Sequence, residues 1–260
     1  MTRDRGDNTG GHGRDDAGDL GTSCDERRIV EALAESVRGA ASGSSLRRLC
    51  ETSVGLLQVS GVSLSVTGHS ADASTMLCAT DDVAAGLAEM QYTLGEGPSC
   101  QVGAGKAPVF APDLTDSSSA RRWPLFTAEA LRVGAHAVFS VPLGDGVAGL
   151  GTLDLYRGTP GPLTARQVRT AFAAADVATF ALVALDRRSA GAEEVVAWLS
   201  GAEANHEEIH QAAGMLMVRL GVGIDEALAL LRARAFAEGT TATELARAIV
   251  NRRTDVTGND

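Results

Sequence analysis

Lysine is almost missing from this chain: Lys106 is the only one, and every other basic residue is arginine. Arginine is the better bidentate phosphate ligand, so the bias does not remove the means to hold a nucleic acid. Positive charge is short overall. With 23 basic against 33 acidic residues the net charge is −10. An acidic surface repels a polyanion, which excludes indiscriminate nucleic-acid coating but leaves room for a local basic patch. No apolar run approaches the roughly 20 residues that span a bilayer, so no membrane partner is expected. The opening MTRDRGDNTGGHGRDDAGD has no apolar core of a secretory signal, and the expected compartment is the cytoplasm. Cysteine is sparse: Cys24, Cys50, Cys78 and Cys100 form no CxxC pair and no Cys/His cluster with zinc-like spacing, so no metal site is expected. Buried small hydrophobes is the plain reading of these thiols, and a redox pair the sharper one.

What is present falls into two regions of different character. Residues 1–25 are rich in Gly, Asp and Arg and read as a disordered arm. From Glu26 the apolar spacing of Ile29, Leu33 and Val37 predicts a helix, and Leu46, Leu49, Val54 and Leu57 predict a second. Gly61–Thr67 alternates as a half-buried strand, His69–Ala73 reads as a turn, and Thr75–Thr80 as the return strand. Val83–Met90 is predicted helical. A Gly-Glu-Gly-Pro loop at 95–98 then leads to a short helix near Cys100, and Pro108–Ala111 is a strand. Trp123–Val133 reads as a helix. Ala135–Leu143 and Ala148–Tyr156 read as strands around a Gly144-Asp145-Gly146 turn. A long helix opens at Thr164, with Val168, Phe172, Ala175, Thr179, Leu182 and Leu185 along one side. Residues 26–188 are therefore expected to be an α+β domain with a central, largely antiparallel sheet. A helical linker at 189–203 follows, and residues 254–260 are expected to be a disordered tail.

Residues 204–253 carry no strand signal. Ile209, Ala213, Leu216 and Leu220 share helical spacing, and Gly221 and Gly223 end that run. Ala227, Leu230, Leu231 and Phe236 make a second apolar stripe, stopped by Gly239. Thr241-Ala-Thr-Glu244 is a capping box for a third helix carrying Leu245 and Ile249. These are the parts of an all-α three-helix bundle.

The run IHQAAGMLMVRLGV, then DEALALLRARA, then LARAIV, is similar to the ANTAR family of RNA-binding antiterminator domains. The resemblance covers nearly all of 204–253. It implies an RNA partner with paired hairpins in nascent transcripts. Candidate contacts are Arg219, Arg232, Arg234, Thr240, Thr241 and Arg247, because arginine and hydroxyl side chains bind phosphates and base edges. Arg252 and Arg253 extend the set. The family often has lysine where this chain has Ala213.

Residues 26–188 resemble the GAF domains that precede ANTAR modules in actinobacterial-type regulators. The resemblance rests on LGEGPSCQ (94–101), APVFAPDL (107–114), RRWPLF (121–126), FSVPL (139–143) and GTLDLY (151–156). It implies a pocket on one face of the sheet, with Met90, Trp123, Phe126 and Phe139 as candidate lining. No cofactor is identified. The loop at 95–98 lacks the Lys-Ser/Thr ending of a P-loop, no haem or cyclic-nucleotide signature is present, and an unknown small-molecule ligand is left open.

The expected function is that of a signal-responsive RNA-binding antiterminator, a non-enzyme. It is expected to work as a homodimer whose seam runs along the 164–188 helix. Three alternatives stay open. One is a sensor or scaffold that has lost RNA binding, favoured by Ala213 and the near-balanced charge. The second is a helix-turn-helix DNA binder. The third is a thiol-dependent methionine sulfoxide reductase using Cys50, Cys78 and Cys100.

Overall fold

The computed structural model describes residues 16–38, 43–67, 74–105, 107–144, 149–188, 208–209 and 211–251. The expectations for the arm before residue 16, the turn at 69–73, most of the 144–146 turn, the linker at 189–203, Arg252, Arg253 and the tail lie outside those residues.

The N-terminal region is an α+β domain around one five-stranded sheet of order β2-β1-β5-β4-β3, antiparallel at every pairing. Its strands are β1 (Gly61–Thr67), β2 (Ser74–Ala79), β3 (Val109–Ala111), β4 (Ala137–Leu143) and β5 (Gly151–Arg157). Alternation decides what lies on each face. Val62, Leu64, Phe139, Val141, Leu153 and Leu155 point to one side, where they pack with α1 (Asp16–Ser36), α2 (Gly43–Leu57) and α7 (Ala165–Arg188). Val138 points to the other. There it joins Leu87, Val102, Trp123 and Phe126, carried by α3 (Asp82–Leu94), α4 (Pro98–Gly105), the loop after α5 (Ser117–Arg122) and α6 (Pro124–Arg132).

Helix α1 begins at Asp16, inside the segment expected to be a disordered arm. Asp25 and Glu26 explain part of that extension: they pair with Arg166 at 2.9 Å and Arg169 at 2.7 Å on α7, tying the helix to a packed neighbour. Within α7, Ala165–Ala184 is long and apolar enough by composition to cross a membrane. In this fold its alanine face, Ala171, Ala174, Ala175 and Ala178, is buried against the sheet and α2. The expected stripe is partly wrong, because Phe172 is exposed while its alanine neighbours are buried.

The C-terminal bundle has α8 (residues 211–220, with 208–209 also helical), α9 (Ile224–Ala237) and α10 (Ala242–Val250). Its core is Ile209, Ala212, Ala213, Leu216, Ala227, Leu228, Leu231, Ala235, Leu245, Ala246 and Ile249. Gly221 and Gly239 take left-handed φ of 68° and 66° at the two turns, where a side chain would be strained. The capping box is present: the Glu244 amide donates to Thr241 Oγ1, and the Thr241 amide donates to Glu244 Oε2, both at 3.1 Å. Leu220, Leu230 and Phe236, expected in the core, are exposed instead. Small residues at Ala227 and Ala235 let the helices approach closely, and that seam excludes the bulkier side chains.

Gly151 tests the sheet register directly. A Cβ there would lie 1.9 Å from the Ser65 carbonyl oxygen on the paired strand. Gly151→Ala is expected to destabilise the N-terminal domain by about 3 kcal/mol, read as a lower urea midpoint at unchanged slope. A midpoint matching the parent would refute the β1–β5 pairing.

Candidate nucleic-acid interface and its contact with the N-terminal domain

The interface is set by how α3 is held. Asp81 caps its start, accepting from the Ala84 amide at 2.7 Å and from the Tyr156 hydroxyl at 3.0 Å. Burial and that acceptor push the Tyr156 hydroxyl up to about 12. Gly95, at φ 65°, closes the helix with its amide on the Gln91 carbonyl. In the following loop Glu96 reaches across to α6, where its Oε1 accepts from the Leu125 and Phe126 amides at 2.6 and 2.7 Å. The Gly-Glu-Gly-Pro motif is thus a structural clasp: a helix stop, an anionic cap for α6, and Gly97, where a Cβ would meet Gln91 Oε1 at 2.6 Å.

The helix runs through Leu94 rather than stopping at Met90 as expected, and the added turn is the one that matters. Tyr92 is 7% exposed and packs into the bundle core beside Ile209, Leu231 and Leu245. Thr93 Oγ1 accepts from the Ala242 amide at 3.1 Å, the first amide of α10. Thr243 Oγ1 donates to Glu89 Oε1 at 3.0 Å. The Arg232 guanidinium stands 5.2 Å from the Tyr92 ring centre, within cation–π range. Burial pushes the Glu89 carboxyl above its ordinary range, and hydrogen bonds from Thr243 and Thr93 pull it partly back. Sequence reading missed Glu89, Tyr92 and Thr93 entirely. The apolar Tyr92 and Leu94, which continue the α3 pattern, are the signal the sequence carries for them.

The expected RNA contacts are thereby sorted. Arg232 lies against the N-terminal domain. Arg234 pairs with Glu238 at 2.6 Å along α9, and Arg247 pairs with Glu208 at 3.0 Å, joining α10 to α8. Thr241 is the helix cap, and Thr240 Oγ1 donates to Glu244 Oε2 at 2.7 Å. Arg219 is exposed near the end of α8. The structure does not gather the six into one bare basic patch. Ala213 is fully buried, so at this position the chain uses a packing residue.

The candidate ligand lining divides as well. Trp123 and Phe126 are buried together under α3, with Met90 packed against them. Phe139 is not part of that group. Strand alternation turns it to the opposite face, where it meets Phe110 edge-on at 5.8 Å. On the α3 side the sheet instead presents a buried polar row: Ser63, Asp154 and Ser140 stand opposite one another across β1, β5 and β4. Thr152 donates to Asp154 Oδ2 at 3.1 Å, while Asp154 Oδ1 and Ser140 Oγ have no hydrogen-bond partner among the described residues. Burial pushes the Asp154 carboxyl up to about 6, with the Thr152 hydroxyl pulling against it. Cys100 donates to the Gln91 carbonyl at 3.2 Å, and burial pushes its thiol up to about 11.

Residues 198–250 match the ANTAR domain model, beginning six residues before the expected boundary at 204 and inside the segment expected to be linker. The chain carries an ANTAR domain behind a GAF-like fold. The GAF domain of a phosphoenolpyruvate-protein phosphotransferase from Coxiella burnetii is similar, with 15% identity over 65% of this chain and 98% of that one, at a TM-score of 0.50. The corresponding Acinetobacter domain shows 12% identity over 64% and 95%, at 0.48. A free methionine-R-sulfoxide reductase from Neisseria meningitidis shows 12% over 62% and 90%, at 0.47. At these identities the likeness is one of fold. No curated protein matches the chain.

The Asp154 carboxyl gives a pH test. Its folded value is raised from 3.8 to about 6, so the folded state holds the proton more tightly than the unfolded chain. The stability this contributes is complete below 3.8 and is lost as pH rises through about 6. The advantage of Asp154→Asn over the parent is therefore expected to grow by about 3 kcal/mol from acid to neutral pH. A difference that stays flat with pH in urea titrations refutes an ionised buried Asp154.

Proposed function

We propose that this chain is a signal-responsive antiterminator in which the GAF-like domain holds the ANTAR bundle in a docked state and a signal releases it to bind hairpin RNA. The observation that carries this is the contact between α3 and the bundle. Helix N-termini bind phosphate through their free amides and positive dipole, and arginine binds it bidentately. In the docked state the first amide of α10 is taken by Thr93 and Arg232 lies on Tyr92, so two of the bundle's anion-binding features face the sensing domain rather than a ligand. Release frees both. The partner is RNA carrying two adjacent hairpins, bound by a homodimer in the cytoplasm. Dimerisation is supported by apolar side chains on the outer side of α7, where Phe180 is 73% exposed. Met90, Trp123 and Phe126 are the proposed walls of the signal site, on the same side of the sheet as the Asp154 row.

The reading is regulatory rather than catalytic. Cys100 is the thiol nearest that face, and its raised pKa keeps it protonated, the wrong state for a nucleophile.

A two-hairpin RNA titrated at fixed salt against the parent, Tyr92→Ser and Thr93→Val tests the proposal. If the docked state limits binding, its loss is expected to tighten apparent affinity by about tenfold, because affinity scales with the competent fraction. Light scattering with RNA is expected to give a dimer. Equal affinity across the three proteins refutes the docked control, duplex DNA competing as well as the hairpins refutes the RNA assignment, and a monomer with and without RNA refutes the dimer.

A further inference from the structure

One pair of nucleophilic groups lies outside everything described so far. Cys50 on α2 and Cys78 on β2 face each other inside the core on the α2 side of the sheet, with Sγ atoms 3.0 Å apart. Sulfur atoms in a disulfide lie at about 2.05 Å, so closure asks for a movement of about 1 Å. The two thiols come from different elements, 28 residues apart in sequence.

Their surroundings are unequal. Cys50 is fully buried, whereas Cys78 is 6% exposed and sits on β2, the edge strand of the sheet. Edge strands open locally more readily than central ones, and a peroxide is scarcely larger than water. The Cys78 contact and burial hold the Cys50 thiol well above its ordinary range, and either sulfur can donate in the contact between them.

We propose that Cys50 and Cys78 are a redox modification site that a peroxide-class oxidant converts to an intramolecular disulfide. Cys78, as thiolate, attacks one peroxide oxygen. The O–O bond breaks, the other oxygen leaves as hydroxide or alkoxide and takes up a proton, and Cys78 becomes a sulfenic acid. The Cys50 sulfur then attacks the Cys78 sulfur, the S–O bond breaks, and the oxygen leaves as water carrying the Cys50 proton. Overall, two thiols and one peroxide give one disulfide, one water and one further water or alcohol. The two sulfurs are oxidised by two electrons and the peroxide is reduced by two. In a reducing compartment thiol exchange restores the pair, so the linkage marks oxidative challenge.

The pair has a short physical route to the docked bundle. Strand β2 packs on α3, whose far end carries Tyr92 and Thr93. As an input to the regulator the disulfide rests on the docked reading above, whereas its formation does not.

The full chain, reduced and then treated with hydrogen peroxide, is alkylated and mapped by mass spectrometry without reductant. The expected product is a Cys50–Cys78 linked peptide pair, lighter by two hydrogens, lost on adding dithiothreitol, with Cys100 still open to alkylation. Cys50→Ala is expected to leave a sulfenic acid at Cys78 that dimedone traps. Should that variant fold poorly, the map of the parent protein decides alone. Two alkylated thiols after peroxide, oxidation falling first on Cys100, or only intermolecular disulfides overturns the site. If the linked pair forms, titrating two-hairpin RNA against both forms is expected to show a shifted affinity on oxidation. An unchanged affinity overturns the role as input while leaving the docked reading to its own test.

Discussion

The last turn of α3 is the constraint on which the rest of this structure depends. Three residues on that turn and the one before it serve the second domain rather than their own. Tyr92 completes the apolar core of the bundle, Thr93 takes the first amide of α10, and Glu89 accepts from Thr243. A side chain of one domain buried in the core of the other couples their stabilities, since the bundle core is incomplete without it. The polar contacts around it are worth about 1 kcal/mol each, so the docked state is held by a margin that a ligand or a covalent change can overcome.

The clasp of Gly95, Glu96 and Gly97 explains how that turn is kept in place. Glu96 fixes α6 to the loop, Gly97 leaves room for Gln91, and Asp81 anchors the opposite end to Tyr156 of β5. Both ends of α3 are thereby attached to the sheet domain, and a displacement on the sheet face moves the surface that meets the bundle. The buried row of Ser63, Asp154 and Ser140 lies on the side of the sheet covered by α3 and α4, and a carboxylate pushed up to about 6 there is an unstable resting charge. Burial without full pairing is what makes such a group responsive to whatever approaches it.

Much of the fold was legible because alternation and helical spacing are local. The five strands, the GEGP turn, the capping box at Thr241 and the three-helix bundle all follow from short-range patterns. The failures are of two physical kinds. Phe139 shares aromatic chemistry with Trp123 and Phe126, but strand parity puts it on the opposite face of the sheet. Leu230 and Phe236 share an apolar stripe with Ala227 and Leu231 in the sequence and are exposed, because close helix approach through Ala227 and Ala235 selects small residues for that seam. The site was less legible than the fold. Arg232 meets Tyr92 and the Ala242 amide meets Thr93, and each of these partners stands 140 residues or more away along the chain, beyond any local pattern.

The central claim is that the two domains are energetically joined through Tyr92 and Arg232. A double-mutant cycle on the full chain, using Tyr92→Leu and Arg232→Met and reading the unfolding free energy of the bundle, measures that directly. The docked account predicts a coupling of about 1 kcal/mol between the two substitutions, the size of a partly buried cation–π contact. Strict additivity, with each substitution costing the same in the presence of the other, would contradict it.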